Sequence, residues 1–280
     1  MKVFVESGEV VLDGVTDFNI AKTFDCGQCF RWNDVGDGVY DGVAFGHATR
    51  LRQDSNGVHI SCSLAEYENI WKDYFDLDRD YATIREKLCV DDFMQKATDF
   101  GAGIRILKQE KWEALCSFII SQNNHIPRIK KIVEALCELF GDEVYFENKK
   151  YYTFPSAKRL SQCSIEDFSA IRCGYRAEYI IATAKAVASG MLDLEALAKT
   201  TPEFAKYELK KIKGIGNKVA DCVLLFGLNM LNSFPIDVWM KRAIENHFDE
   251  SFNPNIFNPY AGIAQQYIFH HERNSQQNIL

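Results

Sequence analysis

The sequence predicts an α+β protein, with an N-terminal antiparallel β domain followed by an all-α region. Up to Cys62, apolar and polar residues alternate in short runs punctuated by glycines, the period-two pattern of half-buried strands. From Leu64 the spacing becomes helical, beginning with Leu64, Tyr67, Ile70, Trp71 and Tyr74, and is read as helical to the end. The helical stretches are joined by short connections containing Gly or Pro. The expected division is residues 1–100, a β domain with flanking helices, and residues 101–280, a helical region.

Taken in order, Val3–Val5, Val39–Ala44 and Val58–Cys62 read as strands, and Asn56-Gly57 as a hairpin turn. Asp76-Leu77-Asp78-Arg79-Asp80 opens like a calcium loop. Its sixth position lacks glycine and its twelfth is Lys87, so it reads as a cap and linker. Helices are expected at 111–121, 126–140, 165–170, 176–189, 203–211, 217–229, 238–248 and 259–271, with Glu272 to Leu280 frayed.

With 280 residues, 47% of them hydrophobic, the chain can bury a sizeable core. No apolar run approaches the ~18 residues of a membrane span. The N-terminus lacks the apolar stretch of a signal peptide. An intracellular location away from membranes is expected, cytoplasmic in a prokaryote or nuclear in a eukaryote. The nine cysteines, an odd number, read as free thiols, and the Cys26-x-x-Cys29 pair has no second pair at ligand spacing.

The formal charge of −7 opposes nucleic-acid binding at face value, but its distribution does not. Residues 64–100 hold ten Asp/Glu against five Lys/Arg, whereas 201–220 hold five lysines against two glutamates. Arg128, Lys130 and Lys131 stand together without an acid between 125 and 131. A local basic footprint therefore survives.

The most informative stretch is Lys213-Gly214-Ile215-Gly216-Asn217-Lys218, followed nineteen positions on by Asp237 in Phe234-Pro235-Ile236-Asp237-Val238. Gly214 and Gly216 allow a tight turn between two helices with its amides exposed. The start of the second helix, up to Val219, is an anion site for a DNA phosphate. Such a grip uses main-chain donors and reads no sequence. Lys218 falls in the first turn of that helix. Only a neutral amine is a nucleophile, and the positive helix end, Lys210, Lys211, Lys213 and partial burial all favour that form. A carboxylate at Asp237 can stabilise positive charge on a deoxyribose losing its base. Seen alone, such a lysine is usually a solvated surface residue and such an aspartate a helix N-cap. The combination is what favours chemistry.

With Gly214-Ile215-Gly216-Asn217-Lys218-Val219-Ala220-Asp221-Cys222 and Pro235-Ile236-Asp237-Val238, the chain resembles the helix-hairpin-helix DNA glycosylases, specifically the 8-oxoguanine DNA glycosylase/AP lyases of the eukaryotic type. Further matching segments run from Gly103 to Glu113, through Asn123-Asn124 with Ile126-Pro127-Arg128, through Gly174-Tyr175-Arg176, and through Pro259-Tyr260-Ala261-Gly262 with Ala264-Gln265. The resemblance implies a glycosylase core with its hairpin at 204–229, acting as a monomer on duplex DNA containing 8-oxoguanine opposite cytosine. Lys218 would be the Schiff-base nucleophile and Asp237 its electrostatic partner. Gly27, through its carbonyl, would accept from the N7–H that guanine lacks. Cys222 and Phe269 would sandwich the purine and Gln265 would read its Watson–Crick edge. Tyr175 would wedge beside the gap, while Asn123, Arg128 and Arg176 would bond the orphaned cytosine.

On pattern alone Cys222 and Phe269 are core residues, Asn123-Asn124 a turn or cap, and the two arginines surface ion pairs. His125 departs from a third asparagine common in relatives, and Trp239 from a histidine that contacts phosphate. No cofactor or catalytic metal is implied. The last cysteine is Cys222, which leaves no four-cysteine iron–sulfur loop after it. The alternatives are a glycosylase of the same superfamily for another damaged base, and a non-catalytic DNA-binding module. Lys218 with Asp237 disfavours the second.

Overall fold

The structure, a computed structural model, describes residues 1–277. Its N-terminal part is a six-stranded antiparallel sheet of β1 (Lys2–Glu6), β2 (Glu9–Asp13), β3 (Trp32–Gly36), β4 (Val39–Ala44), β5 (His47–Asp54) and β6 (Gly57–Ile60), in the order β1-β2-β6-β5-β4-β3. The helix α1 (Ile20–Asp25) crosses between β2 and β3, started by Asn19, whose side chain accepts from the Lys22 amide. Under the sheet Leu12, Trp32, Leu51 and Ile60 meet Phe24, Trp71 and Phe75, with Phe24 stacked on Trp32 at 4.3 Å.

The helices that follow are α2 (Tyr81–Leu88), α3 (Asp92–Phe100), α4 (Lys111–Ile120), α5 (Ile126–Phe140), α6 (Arg176–Ala188), α7 (Pro202–Lys210), α8 (Asn217–Phe226), α9 (Val238–His247) and α10 (Ala261–Gln277), with shorter helical turns between them. Their buried faces form a second core that includes Ile84, Met94, Leu115, Val133, Ile180, Val223 and Tyr267. The extended segment from Gly103 to Glu110 serves both cores. Ile104 and Ile106 enter the helical one, and Leu107 enters the one under the sheet. No helix among the described residues is long and apolar enough to cross a membrane.

Three expectations need correction. The region after Leu64 is not helical throughout, because β7 (Glu143–Phe146) and β8 (Lys149–Tyr152) form a hairpin. That hairpin docks on the sheet through the Tyr151 hydroxyl, which donates to Asp41 at 2.6 Å, and through the Arg50–Glu147 ion pair at 2.6 Å. The stretch 165–170 is a 3-10 turn, Glu166–Ile171. The segment from Glu272 does not fray where expected: α10 continues through Gln277, and Glu272 is buried and faces His247 at 3.4 Å. The remainder of that expectation, 278–280, lies outside the described residues.

Candidate active site

The hairpin joins α7 to α8. Gly214 has φ +89°, and a Cβ there would fall 2.3 Å from the Tyr179 ring, so both conformation and space require glycine. Gly216 differs. It is the N-cap of α8 with an ordinary φ of −90°, and nothing lies within 4 Å of where its Cβ would be. No side chain caps α8, so its first amides, including that of Val219, are left for an external acceptor. The Val219 side chain itself is in the core. Lys206 pairs with Asp221 at 2.7 Å across the two helices, Lys211 with Glu208 and Lys213 with Glu178, both at 2.6 Å. Much of the basic charge is thus matched, which leaves the main-chain amides as the principal candidate donors to an anion. Within the hairpin the Ile212 carbonyl accepts the Ile215 amide at 3.1 Å. Carbonyl oxygens suit a hard cation in kind. Among the described residues no group of three or more His, Cys, Asp or Glu is placed to hold a metal ion.

Beside the hairpin, a cleft of about 370 Å³ is lined by Gly27, Lys218, Cys222, Asp237, Gln265 and Phe269, all six of the residues expected to carry catalysis and base recognition. The first turn of α8 brings Lys218 to the cleft, where its Nζ donates to Ser121 Oγ at 3.3 Å and lies 5.4 Å from the centre of the Phe118 ring. One turn on, Cys222 is buried, and desolvation pushes its thiol up to about 11 although Lys218 pulls the other way. Cys222 is therefore a neutral thiol near pH 7.

Asp237 is an N-cap, as its context suggested. Its Oδ1 accepts the amides of Trp239 at 3.0 Å and Met240 at 2.9 Å, which leaves Oδ2 outside the cap. Cap and electrostatic partner are thus compatible roles for one carboxylate. From α10, Gln265 is only 5% exposed, and its Oε1 is buried at the cleft without a hydrogen-bond partner among the described residues. A buried amide oxygen left unmet is costly unless a ligand meets it. Phe269 is partly buried and lies against Gly27, whose φ is +82°; a Cβ there would sit 3.5 Å from the ring and 3.2 Å from Ile126.

The residues expected to face the rest of the duplex do not line this cleft, although Asn124 to Pro127, between Asn123 and Arg128, do. Tyr175 is 51% exposed beside the hairpin, edge-on to Tyr179 at 5.6 Å. Asn123 is exposed with φ +45°, and Arg128 is exposed in the first turn of α5. Asn124 does not cap α5: the N-cap is His125, with no side-chain cap bond, and Asn124 Oδ1 accepts the His125 amide instead. Arg176 is neither a surface ion pair nor free. It is buried, and its guanidinium donates to the carbonyls of Gln122 (3.0 Å), Cys173 (3.2 Å) and Asn123 (3.1 Å), bracing the turn that presents Asn123.

Sequence reasoning missed Ser121, Phe118 and Arg242. The Arg242 guanidinium lies 5.2 Å over the Trp239 ring, beside the Asp237 cap. No pattern marks these residues, because each acquires its place only through folding.

Comparison with known proteins bears on the family and the overall fold. Residues 10–115 match the family model of the 8-oxoguanine DNA glycosylase N-terminal domain. Residues 116–253 match that of the HhH-GPD superfamily base excision DNA repair proteins. The N-glycosylase/DNA lyase OGG1 of Arabidopsis thaliana is 31% identical over 95% of this chain and 80% of its own length. The solved structure of MBOgg1 in complex with a low affinity DNA ligand superposes with TM-score 0.93 at 40% identity, covering 98% of this chain and 99% of that one. The Clostridium acetobutylicum 8-oxoguanine glycosylase/lyase, in complex with duplex DNA containing cytosine opposite 8-oxoguanine, gives TM-score 0.92 at 35% identity over 99% of each chain.

Proposed function

The chain belongs to the HhH-GPD superfamily, among the 8-oxoguanine DNA glycosylase/lyases, and from that premise we propose which of its residues perform each step. The protein is a bifunctional 8-oxoguanine DNA glycosylase and AP lyase that binds duplex DNA. The observation that carries the assignment is the convergence of Gly27, Lys218, Cys222, Asp237, Gln265 and Phe269, from distant parts of one chain, on one cleft. One chain supplies all six of these cleft residues, which supports action as a monomer.

The unpaired amides of the hairpin and of the α8 N-terminus hold a phosphate, and Tyr175 wedges into the stack as the damaged nucleotide leaves it. The flipped base enters between Cys222 and Phe269. Gln265 bonds its Watson–Crick edge, and the Gly27 carbonyl accepts from N7–H. Guanine has a lone pair at N7 and meets that carbonyl with repulsion.

The Lys218 amine then attacks C1′. The C1′–N bond breaks, its electron pair leaves with the base, and Asp237 offsets the positive charge that builds on the sugar. The C1′–O4′ bond then breaks as a proton lost from nitrogen passes to O4′, and the opened sugar is held as a protonated Schiff base. Removal of a C2′ proton expels the 3′ phosphate by β-elimination and nicks the strand. Asn123 and Arg128 bond the cytosine left behind. Arg176 acts mainly by holding Asn123, with its own guanidinium largely committed to carbonyls.

Single-turnover excision of 8-oxoguanine placed opposite C, A, G and T tests this assignment. A preference for C that Arg128→Ala abolishes is expected. Equal rates opposite all four bases would overturn the role given to Asn123, Arg128 and Arg176.

A further inference from the structure

The loop that carries Gly27 is held by side chains from far along the chain. The Asp25 carbonyl accepts Arg273 Nη1 at 2.9 Å, the Cys26 carbonyl accepts Gln266 Nε2 at 2.7 Å, and the Gln28 carbonyl accepts Gln109 Nε2 at 2.8 Å. Of these four consecutive carbonyls, from Asp25 to Gln28, that of Gly27 alone takes no hydrogen bond from the described residues. The Gln28 side chain fixes the far side of the loop, donating to the Arg105 carbonyl at 2.7 Å and accepting the Leu107 amide at 2.9 Å.

We propose that Gln266 is a positioning residue for lesion recognition: by holding the Cys26 carbonyl it fixes the peptide plane before Gly27 and keeps the Gly27 carbonyl in register with N7 of the base. This rests on the reading that Gly27 accepts from N7–H. Gln266 is 98% buried in α10, between the neighbouring Gln265 that reads the base edge and the Phe269 ring that packs on Gly27. One helix thereby sets the base-edge reader, the stacking ring and, through Gln266, the N7 acceptor together. A lone acceptor is a sharp discriminator only when its direction is fixed, because a hydrogen bond weakens steeply off axis. Glycine at φ +82° gives the loop freedom that something else must remove.

The test is Gln266→Met, which keeps chain length and removes the donor, with Gln266→Glu as a second variant whose carboxyl can donate only when protonated. Single-turnover excision of 8-oxoguanine opposite cytosine is measured beside strand cleavage at a preformed abasic site, where no base needs to be read. Gln266→Met is expected to lose about tenfold or more in 8-oxoguanine excision while abasic cleavage stays within about twofold. Gln266→Glu should regain excision relative to wild type as pH falls from 8 to 6. Equal loss on both substrates would make Gln266 a packing staple and overturn the proposal, as would excision by Gln266→Met within twofold of wild type. Wild-type protein that cleaves abasic sites but not 8-oxoguanine would instead overturn the Gly27 reading beneath it.

Discussion

Lys218 Nζ donates to Ser121 Oγ across 3.3 Å, and that hydroxyl is itself committed as a donor to the Phe118 carbonyl at 2.8 Å. Ser121 therefore offers the amine a lone pair of fixed direction, parking it above the Phe118 ring. Lys218→Gln is expected to retain lesion-DNA binding and lose strand cleavage entirely. Ser121→Ala should slow excision by less than about tenfold, since a bond this long is worth about 1 kcal/mol. Rapid-quench assays on both variants check this, and wild-type cleavage by Lys218→Gln would remove the nucleophile assigned here.

Asp237 separates cap from charge. Asp237→Asn keeps an oxygen for the Trp239 and Met240 amides, so its thermal stability should stay near wild type while excision falls by about 10²-fold or more. Asp237→Ala should lose excision similarly and also about 1 kcal/mol of stability. Equal melting temperatures for the Asn and Ala variants would contradict the capping role.

The two hairpin glycines should fail differently. Gly214→Ala drives a Cβ into the Tyr179 ring at a left-handed φ, and a loss of more than about 1 kcal/mol in stability is expected. Gly216→Ala meets no protein atom. It should melt like wild type and bind duplex DNA more weakly, because the added methyl stands where a phosphate approaches the α8 amides. Unchanged DNA affinity for Gly216→Ala would move the phosphate elsewhere.

Much of this was legible before folding, and the exceptions share a cause. The glycine hairpin, Lys218 and Asp237 are local patterns and stand in the fold as their spacing implied; the strands form where expected, but β1 is exposed along its whole length and β4 is buried from Tyr40 to Ala44 rather than on alternate residues. The β7–β8 hairpin was missed because its turn uses Glu147 and Asn148 at φ +47° and +60° in place of glycine. It is held by Asp41 and Arg50, about a hundred residues earlier. Gln266 and its partner Cys26 are 240 residues apart. Arg176 looked like a surface cation because nothing local announces the carbonyls that bury it.

Glu113 gives the fold a pH dependence remote from the site. Burial pushes its carboxyl up to about 7, against the pull of Arg31 at 3.7 Å. The folded state keeps a proton that the unfolded chain releases above its ordinary value of 4.5. The contribution is fully present below that value and is lost as pH rises to about 7. The stability gap between Glu113→Gln and wild type should therefore shift toward the variant by on the order of 3 kcal/mol between pH 4.5 and 8. Urea denaturation at the two pH values measures it, and a gap independent of pH would contradict the buried, proton-holding carboxyl.

The most direct test of the central claim is borohydride trapping of the pure protein on an end-labelled duplex carrying one 8-oxoguanine opposite cytosine, with undamaged guanine as control. A covalent adduct on the damaged duplex alone, absent with Lys218→Gln, is the predicted result. An adduct that persists with Lys218→Gln, or none on 8-oxoguanine while another lesion is trapped, would contradict the account.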